Sequence, residues 1–139
     1  MTLVIDASAT TALCVADEGF ALLDEALYAP VLLRSEVLSA LQGMQWRGEI
    51  SEQLASVGVE RLLTAPIQLV RRTQLWRAAR TLAVSLGWAK TYDAEYVALA
   101  QIEGLPLLTI DDRLRRRVET LVEVRTPSDL LPSRPSLDE

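Results

Sequence analysis

Near its amino terminus the chain reads Leu3-Val4-Ile5-Asp6-Ala7-Ser8, a short apolar run that ends in an acid. An apolar run without polar alternation is typical of a strand that is buried on both faces of a sheet. Asp6 and Ser8 are residue types that begin helices, so we expect a helix directly after this strand. The stretch therefore predicts the first strand–helix step of an α/β domain, with an acid at the carboxyl end of the strand.

The same arrangement recurs late in the chain. Residues 106–110 form a second buried-strand candidate, and Asp111-Asp112 opens the next predicted helix. In open α/β sheets the functional site lies beyond the carboxyl ends of the strands. Asp6 and Asp111 both occupy such ends, which makes them the first candidates for a functional site.

Helical spacing and break residues divide the rest of the chain. Helices are predicted over residues 9–15, 20–26, 31–46, 51–63, 73–86 and 91–103, and a last short strand over residues 121–124. Residues 67–70 fit a strand or a helix start equally well, and Ala29-Pro30 is interpreted as a chain break. Alternating strands and helices predict one α/β domain over residues 1–131 with a mainly parallel sheet. Residues 132–139, rich in Pro, Ser and charge, are expected to form a loose tail.

The composition excludes several kinds of catalysis. The chain has no histidine and a single cysteine, Cys14. Ser–His and Cys–His nucleophile pairs are therefore absent, and no thiolate cluster can bind zinc. Any catalysis must use carboxylates, hydroxyls, arginines, the single Lys90, or a metal ion bound by oxygens.

Charge and hydropathy bear on the partners of the protein. The net charge of −5 is unusual for a nucleic-acid-binding protein, whose footprint is basic. Four arginines near the end of the chain form a local basic cluster, with a solvated helix face as the alternative: Arg113, Arg115, Arg116 and Arg117. No apolar run reaches the roughly 20 residues that span a bilayer, and the amino terminus lacks the basic region of a signal peptide. We therefore expect a cytoplasmic protein without membrane contact.

Two further acids join the candidates. Asp93 lies in the first turn of a helix that Thr91 is expected to cap, where the helix dipole favours an acid in any case. For Asp6, Asp93 and Asp111 a purely structural role at a helix start therefore remains an alternative.

Glu36 lies inside a predicted helix, and its own face carries small residues: Ser39, Ala40 and Gly43. Small neighbours leave space beside the carboxylate, although a surface pair with Arg34 is the alternative. Several carboxylates at one site repel each other unless a cation binds them. Oxygen ligands suit Mg²⁺ or Mn²⁺, which can activate a water and stabilise charge on a phosphoryl oxygen.

Four segments, taken in order, carry a family resemblance. They are Val4-Ile5-Asp6-Ala7-Ser8, Arg34-Ser35-Glu36-Val37-Leu38-Ser39-Ala40-Leu41, Thr91-Tyr92-Asp93-Ala94-Glu95-Tyr96-Val97-Ala98-Leu99-Ala100 and Leu108-Thr109-Ile110-Asp111-Asp112-Arg113-Leu114. Together they resemble the PIN-domain family, and most closely the VapC-type toxins of bacterial toxin–antitoxin pairs. The resemblance runs from residue 2 to about residue 130. Many relatives carry Asn where this chain has Ser39.

The resemblance implies a three-layer α/β/α fold and Mg²⁺- or Mn²⁺-dependent cleavage of RNA. It also implies a homodimer and a small antitoxin partner. By position it makes Asp6, Glu36, Asp93 and Asp111 the catalytic acids, with Asp6 and Asp93 as the metal ligands. Ser8 and Thr109 match hydroxyl positions that line such sites. Asp112 follows Asp111 directly and competes with it as the fourth acid. Arg113 is interpreted either as a partner of a site carboxylate or phosphate, or as a simply exposed side chain.

Other interpretations stay open at this stage. Receiver domains and aspartate-nucleophile phosphatases also place acids at strand ends, but position 8 is Ser where the phosphatases need Asp, and Lys90 comes too early for a receiver. A PIN-like RNA-processing nuclease without an antitoxin is a second alternative. A PIN-like domain that binds RNA or assembles without cleaving it is a third.

Some side chains are assigned more ordinary roles. The three tryptophans, Trp46, Trp76 and Trp88, are expected in the core or an interface, and Glu95 is expected to point away from the site. An antitoxin segment would need an apolar groove, and its candidate surface lies near Phe20, Leu22, Leu23 and Trp46.

Overall fold

The computed structural model describes residues 1–130, and these contain a five-stranded sheet with the strand order β3-β2-β1-β4-β5. The strands are β1 Thr2–Ile5, β2 Ala26–Pro30, β3 Ile67–Val70, β4 Leu107–Leu108 and β5 Val124–Arg125. Every neighbouring pair in this sheet is parallel, which confirms the predicted α/β class. The tail predicted over residues 132–139 lies outside the described residues.

Helices cover the sheet and complete a three-layer α/β/α fold. They are α1 Ala7–Val15, α2 Leu33–Trp46, α3 Glu52–Thr64, α4 Thr73–Leu86, α5 Tyr92–Glu103, α6 Asp112–Val118 and α7 Pro127–Leu130, with a 3₁₀ turn over Gly19–Leu22. Helices α1, α2 and α3 pack against one another, while α4 packs on α5, which lies against β1 and β2. In the described part of the chain, no helix has the length and apolar character needed to cross a membrane.

Strand β1 lies at the centre of the sheet, between β2 and β4. Leu3, Val4 and Ile5 are completely buried, as the unbroken apolar run predicts. Because both faces of β1 are buried, Asp6, which directly follows the strand, is the first polar residue able to face a ligand. Since β1 is the central strand, Asp6 lies at the middle of the carboxyl edge of the sheet.

The structure contradicts the prediction between residues 20 and 30. The predicted helix over residues 20–26 is only the short 3₁₀ turn, and the predicted break at Ala29-Pro30 is the end of strand β2. Leu27 and Ala29 are buried, and β2 pairs with β1 on one side and β3 on the other. Pro30 is the last residue of β2, a strand end being one of the few places where a sheet tolerates proline. The strand depends on partners that are distant in sequence, which local propensity does not register.

Two smaller outcomes concern strand and helix starts. Residues 67–70, left open between strand and helix, form β3. Thr91 occupies the position before α5, but its side chain makes no capping hydrogen bond, whereas Ser51 caps α3 as expected by accepting from the backbone N of Leu54 at 3.0 Å.

An arginine from α3 closes the end of α1. The Arg61 guanidinium donates to the carbonyl oxygens of Cys14 at 3.0 Å, Asp17 at 3.0 Å, and Ala16. The last carbonyls of a helix have no partner within the helix, so this side chain satisfies acceptors that would otherwise stay unpaired. Gly19 lies beside it at φ +57°, and a Cβ there would come within 3.3 Å of Arg61 Nε. Arg61 therefore fixes the turn that follows α1.

We predict that Arg61→Ala lowers the free energy of unfolding by about 2 kcal/mol, because charge-assisted hydrogen bonds are lost and carbonyls are left unsatisfied. Arg61→Lys should recover only part of the loss, since an ammonium lacks the planar fork. Urea unfolding of both variants measures the effect, with the exposed Arg34→Ala on α2 as the control. Equal midpoints for Arg61→Ala and the wild type would contradict this role.

Candidate active site

The carboxyl edge of the sheet brings two predicted acids to neighbouring strands. Asp6 follows β1 and Asp111 follows the short segment after β4, and β1 pairs directly with β4. Both acids also cap helices. Asp6 Oδ1 accepts from the backbone N of Ala9 at 2.9 Å, and Asp111 Oδ1 accepts from the backbone N of Arg113 and Leu114 at 3.0 and 3.1 Å. Both residues therefore cap helices, and both lie at the carboxyl edge of the sheet.

Asp6 is held by two hydroxyl groups. Ser8 Oγ donates to Asp6 Oδ1 at 2.7 Å, and Thr109 Oγ1 donates to Asp6 Oδ2 at 2.5 Å. A hydroxyl carries one hydrogen, so once both hydroxyls donate to Asp6, their mutual approach of 3.1 Å is a contact without a hydrogen bond of its own. Ser8 and Thr109, both predicted as supporting residues, thus fix the orientation of the Asp6 carboxylate.

The same hydroxyls connect Asp6 to the loop that precedes α6. Ser8 Oγ accepts from the backbone N of Ile110 at 3.2 Å, and Thr109 Oγ1 accepts from the backbone N of Asp111 at 3.0 Å. The position of Asp111 is consequently coupled to that of Asp6 through two short hydrogen-bond chains.

Counting lone pairs shows what Asp6 can still bind. Each carboxylate oxygen has two acceptor positions. Oδ1 accepts from Ser8 and Ala9 and is fully used, whereas Oδ2 accepts only from Thr109 within the described residues. Asp6 is only 4% exposed, so this remaining position on Oδ2 is the one through which it can bind a ligand.

Glu36 reaches the site from α2 and is held by a tyrosine. The Tyr96 hydroxyl donates to Glu36 Oε1 at 2.6 Å, and Tyr96 is fully buried in α5. The alternative partner, Arg34, is exposed and forms no ion pair with Glu36. Sequence reasoning assigned no role to Tyr96. Its position three residues after Asp93, on the same helical face, was the available signal.

The electrostatics connect all four acids. Burial raises the pKa of Asp6 above its ordinary value, against the hydrogen bonds from Ala9, Thr109 and Ser8, and the charge of Asp93 raises it further. Burial also raises the pKa of Glu36, which the Tyr96 hydrogen bond opposes and the charges of Asp93 and Asp6 increase.

Asp93 completes the group from the first turn of α5. Desolvation raises its pKa, the charge of Asp111 adds to the rise, and Arg117 opposes both. Asp93 is exposed, so solvent screens these effects more than it does at Asp6. Like charges that raise one another's pKa favour the binding of a cation.

A divalent metal ion would need carboxylate oxygens of this acidic group as ligands. Within residues 1–130, no three acids lie close enough together to form a ready-made ligand set. Mg²⁺ usually retains several waters and binds proteins through one or two carboxylates, so a smaller set is sufficient. Asp6 Oδ2, with its remaining acceptor position, and the exposed Asp93 are the residues here that fit this requirement.

The remaining predicted site residues lie outside the acidic group. The Asp112 side chain is 66% exposed and pairs with Arg115 at 3.1 Å, whereas the charge of Asp111 acts on Asp93. Arg113 is exposed and has no carboxylate within ion-pair distance in the described part of the chain. Of these two neighbouring acids, it is therefore Asp111 whose charge acts on Asp93.

Trp46 and Trp76 do not lie in the core, because they are 83% and 51% exposed, whereas Trp88 packs partly against it. An interface role for the two exposed tryptophans stays a prediction. Trp88 lies in a cleft of about 430 Å³ that Glu36 and Asp93 also line. Glu95, predicted to point away, is buried and accepts from Trp76 Nε1 at 3.2 Å, yet its charge still interacts with that of Glu36.

Of the residues predicted to form a groove for an antitoxin, Phe20 lines a cleft of about 220 Å³ beside Arg61, and Trp46 is exposed. Phe20, Leu22 and Leu23 pack against the core, and another cleft runs between α2 and α3. It has a volume of about 270 Å³, and its apolar lining includes Leu38 and Val59.

Comparison with known proteins gives a consistent result. Residues 3–119 match the family model described as PIN domain. The chain is 34% identical over 130 residues to Ribonuclease VapC3 of Pyrobaculum aerophilum, a match that covers 88% of this chain and 98% of the relative. It is 36% identical over 95 residues to Ribonuclease VapC3 of Mycobacterium tuberculosis strain H37Rv, covering 66% of this chain. That match spans 64% of the Mycobacterium relative, which is less than two thirds of its length.

A solved structure shares the fold. The crystal structure of PAE2754 from Pyrobaculum aerophilum superposes with a TM-score of 0.72 at 25% sequence identity, covering 94% of this chain and 95% of the other.

We predict that Asp6→Asn raises the thermal midpoint of the metal-free protein at neutral pH. An acid whose pKa is raised by folding stabilises the folded state below its unfolded pKa, and this contribution is lost as pH rises through the folded pKa. Asparagine does not ionise, so the variant keeps its stability as pH rises. The Thr109 hydroxyl can accept a hydrogen bond from the new side-chain amide. The difference from the wild type should therefore shrink as pH falls toward roughly 4.

Thermal unfolding in EDTA across this pH range measures the effect, with the exposed Asp24→Asn as a control that should show no such trend. A wild type that is more stable than Asp6→Asn at neutral pH would show that the hydrogen bonds of Asp6 outweigh its burial.

Proposed function

The chain belongs to the PIN-domain family, with VapC ribonucleases among its relatives, and on that premise we propose that it is a metal-dependent endoribonuclease, the toxin of a toxin–antitoxin pair. The observation that carries the proposal is a chain of charge interactions among four acids: Asp93 acts on Asp6 and on Glu36, and Asp111 acts on Asp93.

Asp6, through Oδ2, and Asp93 would bind the ion, Mg²⁺ or Mn²⁺. When bound, such an ion supplies an activated water and stabilises charge on the phosphoryl oxygens. Ser8 and Thr109 keep the Asp6 carboxylate in one orientation, which limits the reorganisation needed at the moment of binding.

Glu36 is the residue best suited to move a proton. Its Oε1 is engaged by Tyr96, which fixes the carboxylate and directs Oε2 to other partners. A raised pKa brings a carboxylate closer to the range in which a general base works at neutral pH. We assign to Glu36 Oε2 the acceptance of a proton from the attacking water, and to Asp111 a contribution to the negative charge that attracts the ion.

RNA is the proposed substrate, as the names of the relatives indicate. A net charge of −5 gives little general attraction for duplex phosphates. Single-stranded or looped segments, whose bases are accessible, are therefore the better substrates. The proposed place of action is the cytoplasm, where such RNA is available.

We predict that the wild type cleaves a looped RNA with Mg²⁺ or Mn²⁺ and not in EDTA. Asp6→Asn and Asp93→Asn should abolish cleavage, because the ion loses a ligand, and Glu36→Gln should reduce it about 100-fold or more through loss of the base. Asp111→Asn should reduce cleavage strongly, whereas its neighbour Asp112→Asn should stay near wild type.

Gel analysis of end-labelled RNA measures these rates, with thermal midpoints to confirm folding. Full activity of Asp6→Asn would overturn the proposal. RNA binding by the wild type without any metal-dependent cleavage would favour the silent RNA-binding module instead.

A small antitoxin is the proposed partner. The acidic group attracts cations, and a guanidinium from the partner could occupy it in place of the metal ion. An apolar segment of the partner would lie in the cleft between α2 and α3, where Leu38 is 50% exposed. We also propose a homodimer through α4, on which Trp76 and Val84 are exposed about two helical turns apart.

Expression of the chain alone should arrest growth, and co-expression with the adjacent small reading frame should restore it and yield a stable complex. Leu38→Glu should abolish complex formation while leaving cleavage intact. A chain that does not arrest growth and binds no product of the adjacent small reading frame would refute the toxin role and leave only the nuclease role.

For the homodimer, Val84→Glu should convert the dimer to a monomer, which light scattering measures.

A further inference from the structure

The cleft beside the acids has a second half of different chemistry. Glu36 and Asp93 line one part of it, and the remaining lining includes two aromatic and two basic side chains: Trp88, Tyr92, Lys90 and Arg117. Tyr92 is 56% exposed, so its ring is accessible to a ligand in the cleft. A volume of about 430 Å³ is within the range of small-ligand pockets. The aromatic and basic part therefore adjoins the acidic part within one cleft.

Arg117 is held in place by an aromatic ring. Its guanidinium carbon lies 4.6 Å from the centroid of the Trp88 ring, a cation–π distance. In the part of the chain that the structure describes, Arg117 has neither an ion pair nor a side-chain hydrogen bond. Its N–H donors are thus oriented but not used by these residues.

The Trp88 ring is itself fixed by its surroundings. Gly87 ends α4 in the left-handed conformation at φ +69°, and the backbone N of Trp88 donates to the carbonyl of Ala83 at 2.9 Å. Trp88 also packs partly against the core. Helix α4 and the core therefore set the position of the ring, and the ring sets the position of Arg117.

We propose that this part of the cleft binds the nucleotide next to the scissile phosphate of single-stranded RNA. Arg117 contacts a phosphate of the RNA backbone, Tyr92 stacks on a base, and Trp88 is a positioning residue for Arg117. Lys90 adds a second positive charge. The inference rests on the proposed nuclease function, which it extends by naming the residues that hold the substrate.

The chemistry of the side chains matches that ligand. A guanidinium binds phosphate oxygens through paired N–H donors, and an aromatic face stacks on any base. A protein with a net charge of −5 needs such local attraction to bring a polyanion to an acidic site. The proximity of Arg117 to Asp93 places the positive charge beside the acids, where the backbone of the substrate must pass.

Binding of a fluorescein-labelled, unstructured 12-nucleotide RNA in EDTA tests the proposal, because it does not depend on metal or cleavage. Tyr92→Ala should weaken binding about 10-fold, as expected for one lost base stack. Arg117→Gln should weaken binding and reduce the slope of log K against log salt by about 0.7, the effect of one lost phosphate contact on a single strand. Trp88→Leu should reproduce part of the Arg117→Gln effect.

Matched controls exist for both chemistries. Arg116→Gln removes an exposed arginine from the same helix, and Trp46→Ala removes an exposed aromatic side chain outside the cleft. Both should leave the affinity within about twofold. RNAs that lack a base at one position add a further readout. The base whose removal weakens binding to the wild type should be removable without any loss of affinity for Tyr92→Ala.

The outcomes separate this inference from the nuclease proposal. If the wild type cleaves RNA but Tyr92→Ala and Arg117→Gln bind like the controls, the subsite is refuted and the nuclease role stands. If both variants lose affinity while the wild type never cleaves with Mg²⁺, the subsite stands and the nuclease role fails. If the wild type does not bind RNA at all, both are refuted.

Discussion

A buried carboxylate at the end of the central strand is the constraint on which the rest of this site depends. Asp6 ends β1, caps α1, and accepts hydrogen bonds from Ser8 and Thr109. Removing a carboxylate from water is costly, and these three donors offset part of that cost. The same hydroxyls accept from the backbone of Ile110 and Asp111. One side chain thus joins the two strand ends that define the edge of the site.

These hydrogen bonds do not fully offset the burial of the carboxylates and the repulsion between them. Asp6, Glu36 and Asp93 all have raised pKa values, because burial and mutual repulsion outweigh the donors around them. Such a group is destabilising in the absence of a cation and favourable in its presence. The fold supplies the offsetting stability elsewhere, for example in the buried β1 run and in the Arg61 contacts at the end of α1. Stability and function are therefore located in different parts of the fold.

The cleft divides its tasks between neighbouring residues of a few elements. Helix α5 contributes Asp93 to the acidic part of the cleft and Tyr92 to its aromatic part. Tyr96, also on α5, donates a hydrogen bond to Glu36 on α2. Helix α6 is positioned by the Asp111 cap and carries Arg117 to the Trp88 ring. Residues from α2, α5 and α6 and from the segment after α4 thus place acids, a cation and aromatic rings around a single space.

The sequence by itself determined the fold class and the buried β1 run, because both are encoded locally by apolar runs and helix starts. It also singled out the four acids with Ser8 and Thr109 through local motifs, and their catalytic roles stay a prediction. It did not determine β2, whose hydrogen bonds come from β1 and β3, far away in the chain. It also gave no preference for Arg117 among four clustered arginines, nor for Trp88 among three tryptophans. Their roles depend on which side chains meet across the cleft, and the contacts of Arg117 with Trp88 and of Tyr96 with Glu36 join residues 29 and 60 positions apart. Only the tertiary structure brings such residues together, since propensity and periodicity act over a few neighbouring residues and carry no information about distant partners.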